Sequence, residues 1–220
     1  SVSGTFPITG SGNTVNSNLT IGGVTMLRGA TDPGATATKR LDAVGYVFSA
    51  VKVTANSQEK VWLKSIKWNQ SGSAGVSDLA NVKVVMDGTD YDVVVSADGK
   101  YYTTKFPGNG VLIDKGFSKD IAIKGDVVGG TSRTISFDIA KRADIGLVGD
   151  TYGYGLVPPE TNSCGATTGT SCFTSAEDPW YDSAVVTVGV GTIAVSSSNK
   201  APSQNIAINL ANQPLGAFEV

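Results

Sequence analysis

The chain has 220 residues, 27 of them glycine, with 17 basic and 19 acidic side chains, two cysteines and no histidine. Without an imidazole, Ser-His-Asp catalysis, Cys-His catalysis and histidine metal ligation are all excluded. The formal charge of -2 excludes a basic surface able to neutralise several phosphates, so nucleic acid is not an expected partner.

The first predicted element is an N-terminal arm. Residues 1–18 are mostly Gly, Ser, Thr and Asn, which is typical of a flexible segment or of a donor segment that becomes ordered on a partner. Extended runs at 19–28 and 44–53 follow, separated by a loop that contains Pro33-Gly34. The chain therefore enters a β-rich body after the arm.

The next run, 60–68, alternates with a period of two, which indicates a β-strand. This period places Trp62 and Trp68 at opposite ends of one face, in the core or at an interface. Further along, Asp87-Gly88 between two β-rich runs is a strong hairpin signal. The remaining strand-like runs are 81–86, 91–96, 100–106, 117–127, 132–139 and 184–196. We therefore predict an all-β antiparallel sandwich over residues 19–190.

A long insertion at 158–183 carries both cysteines. Cys164 and Cys172 lie eight residues apart in a segment rich in Gly, Ser and Thr, which can bend to bring the sulfurs together. We predict a disulfide and therefore an oxidising compartment, such as the extracellular space. Two free thiols in a reducing compartment are the alternative. The apolar stretches are too short for a transmembrane segment.

The C-terminal strands at 191–220 resemble the start of a second copy of the chain. Residues 215–220 match 48–53, with Ala217 at the position of Ala50 and Glu219 at that of Lys52. Upstream, Pro202 stands where Pro33 stood. A period of roughly 170 residues follows from this likeness. The alternative is a pair of ordinary final strands of the same sandwich.

Two patterns carry a resemblance to a known family. The first is D-L-x-N-V-K followed by D-G, at 78–83 and 87–88. The second, at 115–127, is K-G-x-x-K followed by alternating isoleucines and Asp-Val. Residues 19–148 thereby resemble the repeated β-sandwich domains of very large secreted proteins on bacterial surfaces, including surface-layer-like and filament proteins. This resemblance implies an immunoglobulin-like sandwich with extended terminal strands or arms, secretion and a structural role, with no catalytic residues to carry over.

Acidic residues are the candidates for chemistry. Paired carboxylates can hydrolyse glycosidic bonds, and clustered carboxylates can bind calcium. At Asp87, Asp90 and Asp92 we expect hairpin structure rather than catalysis, with calcium as the alternative ligand. The acidic segment 177–182 carries the same calcium alternative. No cofactor is required by either interpretation.

The insertion also offers a candidate ligand loop. Trp180 and Tyr181 lie beside Glu177 and Asp178, and aromatic rings next to acids can stack on a sugar. The alternative, which we favour, is that the two rings fold back over the sandwich edge and anchor the disulfide loop. Glycans are therefore expected partners only if the rings are exposed.

The C-terminal segment 204–220 is β-rich and has no closing turn, so its backbone groups are best satisfied at another copy's sheet edge. Residues 1–18 are the alternative donor. The sequence predicts a non-enzymatic structural subunit of an extracellular filament or surface layer that forms a head-to-tail homopolymer. An adhesin or carbohydrate-binding module using 158–183 is the alternative. The candidate donor-strand residues are Ile206, Ile208, Leu210, Leu215, Phe218 and Val220.

Overall fold

A computed structural model of the chain describes residues 20–165, 169–189, 195–201, 203, 205–206, 208–209, 211–212 and 214–220. Within these ranges the protein is all-β, and only two short 3-10 turns, Val76–Asp78 and Arg142–Asp144, are helical. None of the described segments forms a helix long and apolar enough to cross a membrane. The predicted arm, 1–18, lies outside the described residues.

The strands are numbered in chain order. They are β1 Val24–Arg28, β2 Ala37–Arg40, β3 Tyr46–Ala55, β4 Val61–Gln70, β5 Leu79–Met86, β6 Thr89–Asp92, β7 Val94–Val95, β8 Tyr101–Lys105, β9 Val111–Ile113, β10 Ser118–Val127, β11 Thr134–Ile135, β12 Phe137–Asp138, β13 Ile145–Gly149, β14 Gly155–Leu156, β15 Cys172–Phe173, β16 Tyr181–Asp182, β17 Val186–Gly189, β18 Ser196–Ser197 and β19 Phe218–Glu219.

Two antiparallel sheets form the body. One has the order β1-β3-β10-β5-β6. The other has the order β14-β13-β4-β8-β7, with β9 and β12 also paired to β4. A smaller sheet, β11-β17-β2, contains a parallel pair between β17 and β2. The sequence predicted a loop at β2, whose residues Ala-Thr-Lys-Arg carry no apolar alternation.

One hydrophobic core lies between the two larger sheets. Val51 and Ile121 of the first sheet belong to the same buried cluster as Leu63 and Tyr102 of the second. Alternate positions of β10 enter this cluster, at Ile121, Ile123 and Val127. The prediction of a sandwich-like all-β fold is confirmed at this level.

The predicted hairpin turn lies between β5 and β6. Met86 pairs with Thr89, so the two-residue connection is Asp87-Gly88. Their φ angles of 52° and 76° are both positive, as a type I′ turn requires. Asp and Gly are the residues that adopt this conformation at low cost, and the local sequence therefore determined this turn.

A β-bulge in β4 corrects the prediction for the two tryptophans. Leu147 pairs with Leu63 and Gly146 pairs with Ser65, so the register shifts across Lys64. Across the shift, the side chains that point into the core change from odd-numbered to even-numbered positions. Trp68 is therefore buried, while Trp62 is only half-buried. The two rings therefore do not share one face.

The chain enters its first core strand and leaves its last one at opposite ends of the body. Val24 at the start of β1 pairs with Ala55 at the end of β3, and we call this end the proximal pole. Gly189 at the end of β17 pairs with Arg40 at the end of β2, next to the start of β3, and we call this end the distal pole. The ten residues of β3 separate the poles by about 30 Å.

Acid should weaken the folded state through two carboxylates. Hydrogen bonds from the Gly75 amide and from Arg133 lower the pKa of Asp78, and those from Asn81 and the Gly45 amide lower that of Asp126. The two carboxylates stabilise the folded state at pH values above their unfolded pKa near 3.9. This stabilisation is lost as the pH falls through their lower folded pKa values. We expect urea midpoints to stay level from about pH 7 to pH 5 and to fall below about pH 4. An Asp78→Asn variant should show a smaller acid loss, and an equal loss would contradict this assignment.

Candidate functional site

The 158–183 insertion, which we call the disulfide loop, is closed by the predicted bond. Cys164 and Cys172 are joined by a disulfide, with Cα atoms 5.0 Å apart. The Phe173 carbonyl accepts hydrogen bonds from the Ser163 and Cys164 amides at 2.9 and 3.1 Å. The disulfide prediction is confirmed, and the bond fixes one end of the loop beside β15.

Three aromatic side chains attach the disulfide loop to the core. Phe173, Trp180 and Tyr181 are each at most 1% exposed. The Phe173 ring centroid lies 4.8 Å from that of Trp180 and 4.7 Å from that of Tyr181. Neither Trp180 nor Tyr181 is available to stack on a sugar, which corrects their assignment to a ligand loop. Their role is the favoured alternative, anchoring the insertion.

A buried hydroxyl ties this aromatic group to the first sheet. The Tyr181 hydroxyl donates to Asp32 Oδ2 at 2.8 Å and lies 3.0 Å from the Ala50 carbonyl oxygen. The other Asp32 oxygen accepts the Gly34 amide at 2.8 Å. Burial first, and then the Asp32 charge, raises the pKa of Tyr181, which therefore remains a neutral donor.

A second polar connection is centred on the buried carboxylate of Asp138. It accepts hydrogen bonds from the Ser71 hydroxyl, from the Ser136 hydroxyl at 3.1 Å and from the Ser183 amide at 2.8 Å. Burial and the Asp138 charge raise the pKa of neighbouring Asp182. Asp138 thus joins the end of β4, β12 and the end of the disulfide loop.

The acids of the candidate ligand loop lie on the surface. Glu177 and Asp178 are exposed, and Glu177 Oε1 lies 3.4 Å from Arg142 Nε. Arg142 also lies 3.5 Å from Glu160. Glu160 and Glu177 thus make surface ion pairs with Arg142, and such pairs contribute little to stability.

The three hairpin acids considered for calcium are each paired with a different lysine. Across the part of the chain that the structure describes, no group of three acidic, cysteine or histidine side chains is arranged to hold a metal ion. The geometry thus gives the calcium prediction no support. The pairs are Asp87 with Lys119, Asp90 with Lys124 and Asp92 with Lys83.

A cavity of about 390 Å³ separates the disulfide loop from β1. Its lining combines two apolar side chains with a guanidinium and three hydroxyl groups, which is the chemistry that a small hydroxylated ligand needs. Its lining residues are Leu27, Arg28, Thr161, Ser163, Ser171 and Phe173.

The candidate donor strand is exposed. Ser196 pairs with Glu219 and Ser197 pairs with Phe218, forming a two-stranded sheet of β18 and β19. Leu210 lies outside the described residues. The other predicted donor residues are exposed: Ile206, Ile208, Leu215, Phe218 and Val220.

Sequence reasoning missed Asp32 and Asp138. Asp32 precedes Pro33, a context typical of a turn residue. Asp138 lies in a strand-like run between Phe137 and Ile139. An acid inside such an apolar run is the one signal that indicates a buried, hydrogen-bonded carboxylate.

Reduction of the disulfide should loosen the loop without unfolding the sandwich. A closed loop of this length contributes roughly 2.5 kcal/mol in the chain-entropy account, whereas Phe173 and Trp180 remain packed after reduction. We expect faster proteolysis within 164–172 and a lower urea midpoint in dithiothreitol. A Cys164→Ser/Cys172→Ser variant that matches the oxidised protein in both measurements would contradict this expectation.

Comparisons with known proteins identify no family. No family model matches the chain, and no curated protein matches it. Among solved structures, the chain has a likeness to a family 123 glycoside hydrolase from Clostridium perfringens, which was studied for glycolipid glycan hydrolysis, with a TM-score of 0.31 and 12% identity. The match covers 77% of this chain and 27% of that enzyme, so the chain spans about a quarter of its length. At this similarity, the enzyme's activity carries no argument for this chain.

Proposed function

We propose that this protein is a non-enzymatic structural unit of an extracellular filament or surface layer, in which neighbouring copies are joined by β-strand addition. The observation that carries the proposal is the tail, residues 195–220. The large apolar side chains that the structure describes there are exposed, with Ile208 at 92% and Val220 at 82%. Exposed apolar surface of this kind is unfavourable in water, and contact with a partner copy buries it.

The course of the chain supports a linear assembly. The first core strand starts at the proximal pole and the last one, β17, ends at the distal pole. The chain therefore leaves β17 at the pole opposite the start of β1. Contacts that join unlike ends do not close on themselves and generate a fibre.

An immunoglobulin-like topology belongs to the same proposal. The order β1-β3-β10-β5 matches the A-B-E-D sheet of that fold, and β4 is central in the opposite sheet, as strand C is. Successive long strands alternate between the sheets, since β3 is followed by β4 in the other sheet and then by β5 in the first. The disulfide loop is an insertion into this plan, and the disulfide itself favours an extracellular location.

Deleting Gln204–Val220 tests the proposal. We expect the intact chain to form head-to-tail polymers, seen by electron microscopy and light scattering, and the truncated chain to remain monomeric. The matched control is a Tyr152→Asp variant, which adds one charge at a surface site outside the tail. Polymers that are unchanged by the deletion would contradict the proposal.

The cavity beside β1 favours a second candidate, an adhesin or carbohydrate-binding module. Arg28 and Ser163 supply hydrogen-bond donors in a lining that also contains the apolar side chains of Leu27 and Phe173. In this case a glycan array should give specific binding that an Arg28→Ala variant loses while polymer formation is unchanged. An array without specific binding by the wild-type chain removes this candidate.

A further inference from the structure

The two tail strands, β18 and β19, pair in the same register as β1 and β3, which they resemble in sequence. In the body, Arg28 pairs with Val51 and Leu27 pairs with Lys52. In the tail, Ser197 pairs with Phe218 and Ser196 pairs with Glu219. The sequence likeness places Glu219 at the position of Lys52. Matched residues of β19 and β3 are therefore the ones that pair with β18 and with β1.

A hydrogen bond next to this pair is also repeated. The Gly29 amide donates to the Ala50 carbonyl at 2.9 Å, and the Ser198 amide donates to the Ala217 carbonyl at 3.0 Å. Ala217 is the residue that the sequence likeness places on Ala50. Because a shift of one residue would exchange the two faces of a strand, an identical register at matched positions is a specific agreement.

The connection between the two strands agrees as well. Pro33 comes four residues after Gly29, and Pro202 comes four residues after Ser198. The tail connection from Ser197 to Phe218 is only two residues shorter than that from Arg28 to Val51. The likeness therefore includes the proline position and the length of the connection, besides the strand register.

The environments of the two units differ sharply. Phe48 is 1% exposed and both Val51 and Val53 are 0% exposed, because β3 lies between β1 and β10. The matched Leu215, Phe218 and Val220 are 80%, 71% and 82% exposed. Within the described residues β19 pairs only with β18, so it lacks the neighbour that β10 provides for β3.

The register points to the tail as the opening pair of a second sandwich, that is, the equivalents of β1 and β3. The strand of that sandwich equivalent to β10 pairs with the free edge of β19. A finished copy is not the occupant, because its own β1 and β3 already fill this position. The partner is a copy whose own opening pair is absent or, in a polymer of intact chains, displaced by the tail. This inference rests on the proposed function for its role in assembly and specifies which strands meet.

The test extends the full chain beyond Val220 with a second copy of its own residues 54–189. This extension supplies equivalents of β4 to β17 but no opening pair. We expect the amides of 218–220 to become protected from hydrogen exchange by about 100-fold relative to the unextended chain, as in a cooperative domain. We also expect the extension to resist trypsin. A digested extension with unprotected tail amides would overturn the inference.

Matched variants show whether the tail itself completes the second copy. Phe218→Asp and Val220→Asp place charges at the positions of buried Val51 and Val53 and should abolish protection. Glu219→Lys changes the position of half-buried Lys52 and should retain it. An extension that stays protected in Phe218→Asp takes its strands from elsewhere and contradicts the inference. Loss of polymers on deleting Gln204–Val220, together with an unprotected extension, would leave the proposed function standing and this inference overturned.

Discussion

A Trp180→Ala variant is expected to lose about 3–5 kcal/mol of unfolding free energy, the usual cost of deleting a buried tryptophan side chain. Trp180 is 1% exposed and packs on Phe173, so its removal leaves a cavity between the disulfide loop and the core. The loop should also become sensitive to proteases. Urea denaturation followed by circular dichroism measures the loss.

Two controls separate packing from other effects. Trp180 Nε1 is buried with no hydrogen-bond partner among the described residues, so Trp180→Phe removes little besides volume and should cost much less than Trp180→Ala. Tyr152→Ala alters an exposed ring and should leave the midpoint unchanged. Wild-type stability in Trp180→Ala would show that the aromatic group does not anchor the loop.

An Asp138→Ala variant is expected to lose about 3 kcal/mol, because it leaves buried donors without their acceptor. The Ser183 amide and the Ser136 hydroxyl both lose a hydrogen bond, and the insertion loses its polar connection to β12. The effect should appear in the urea midpoint and as faster hydrogen exchange at the amide of Ser183.

The isosteric variant Asp138→Asn provides the control for this prediction. It keeps one acceptor oxygen for the Ser183 amide and should cost roughly 1 kcal/mol, a typical net hydrogen-bond contribution. Equal losses in the two variants would show that charge, rather than the number of hydrogen bonds, determines the stability of this connection.

Local signals predicted much of the fold. The Asp87-Gly88 turn follows from the two positive φ angles that these residues adopt readily. The strands β3, β4 and β10 follow from β-branched residues and alternation, which are properties of neighbouring positions. The disulfide follows from two cysteines separated by a short, flexible segment.

Long-range contacts determined the remaining features. β2 has no strand pattern of its own and forms because β17, about 150 residues later, supplies its hydrogen-bond partners. The bulge in β4 appears only against β13, and it decides that Trp68 rather than Trp62 is buried. Neither result is encoded in a window of adjacent residues.

The sequence by itself determined the all-β class, the main strands, the hairpin turn and the disulfide, because each depends on residues close together in the chain. It also indicated the likeness between 215–220 and 48–53. Only the tertiary structure decided that Trp180 and Tyr181 are buried, that Asp138 joins the insertion to the body and that the large apolar side chains described in the tail are exposed. Burial and register depend on which distant segments meet, and the packing of the whole chain sets those contacts.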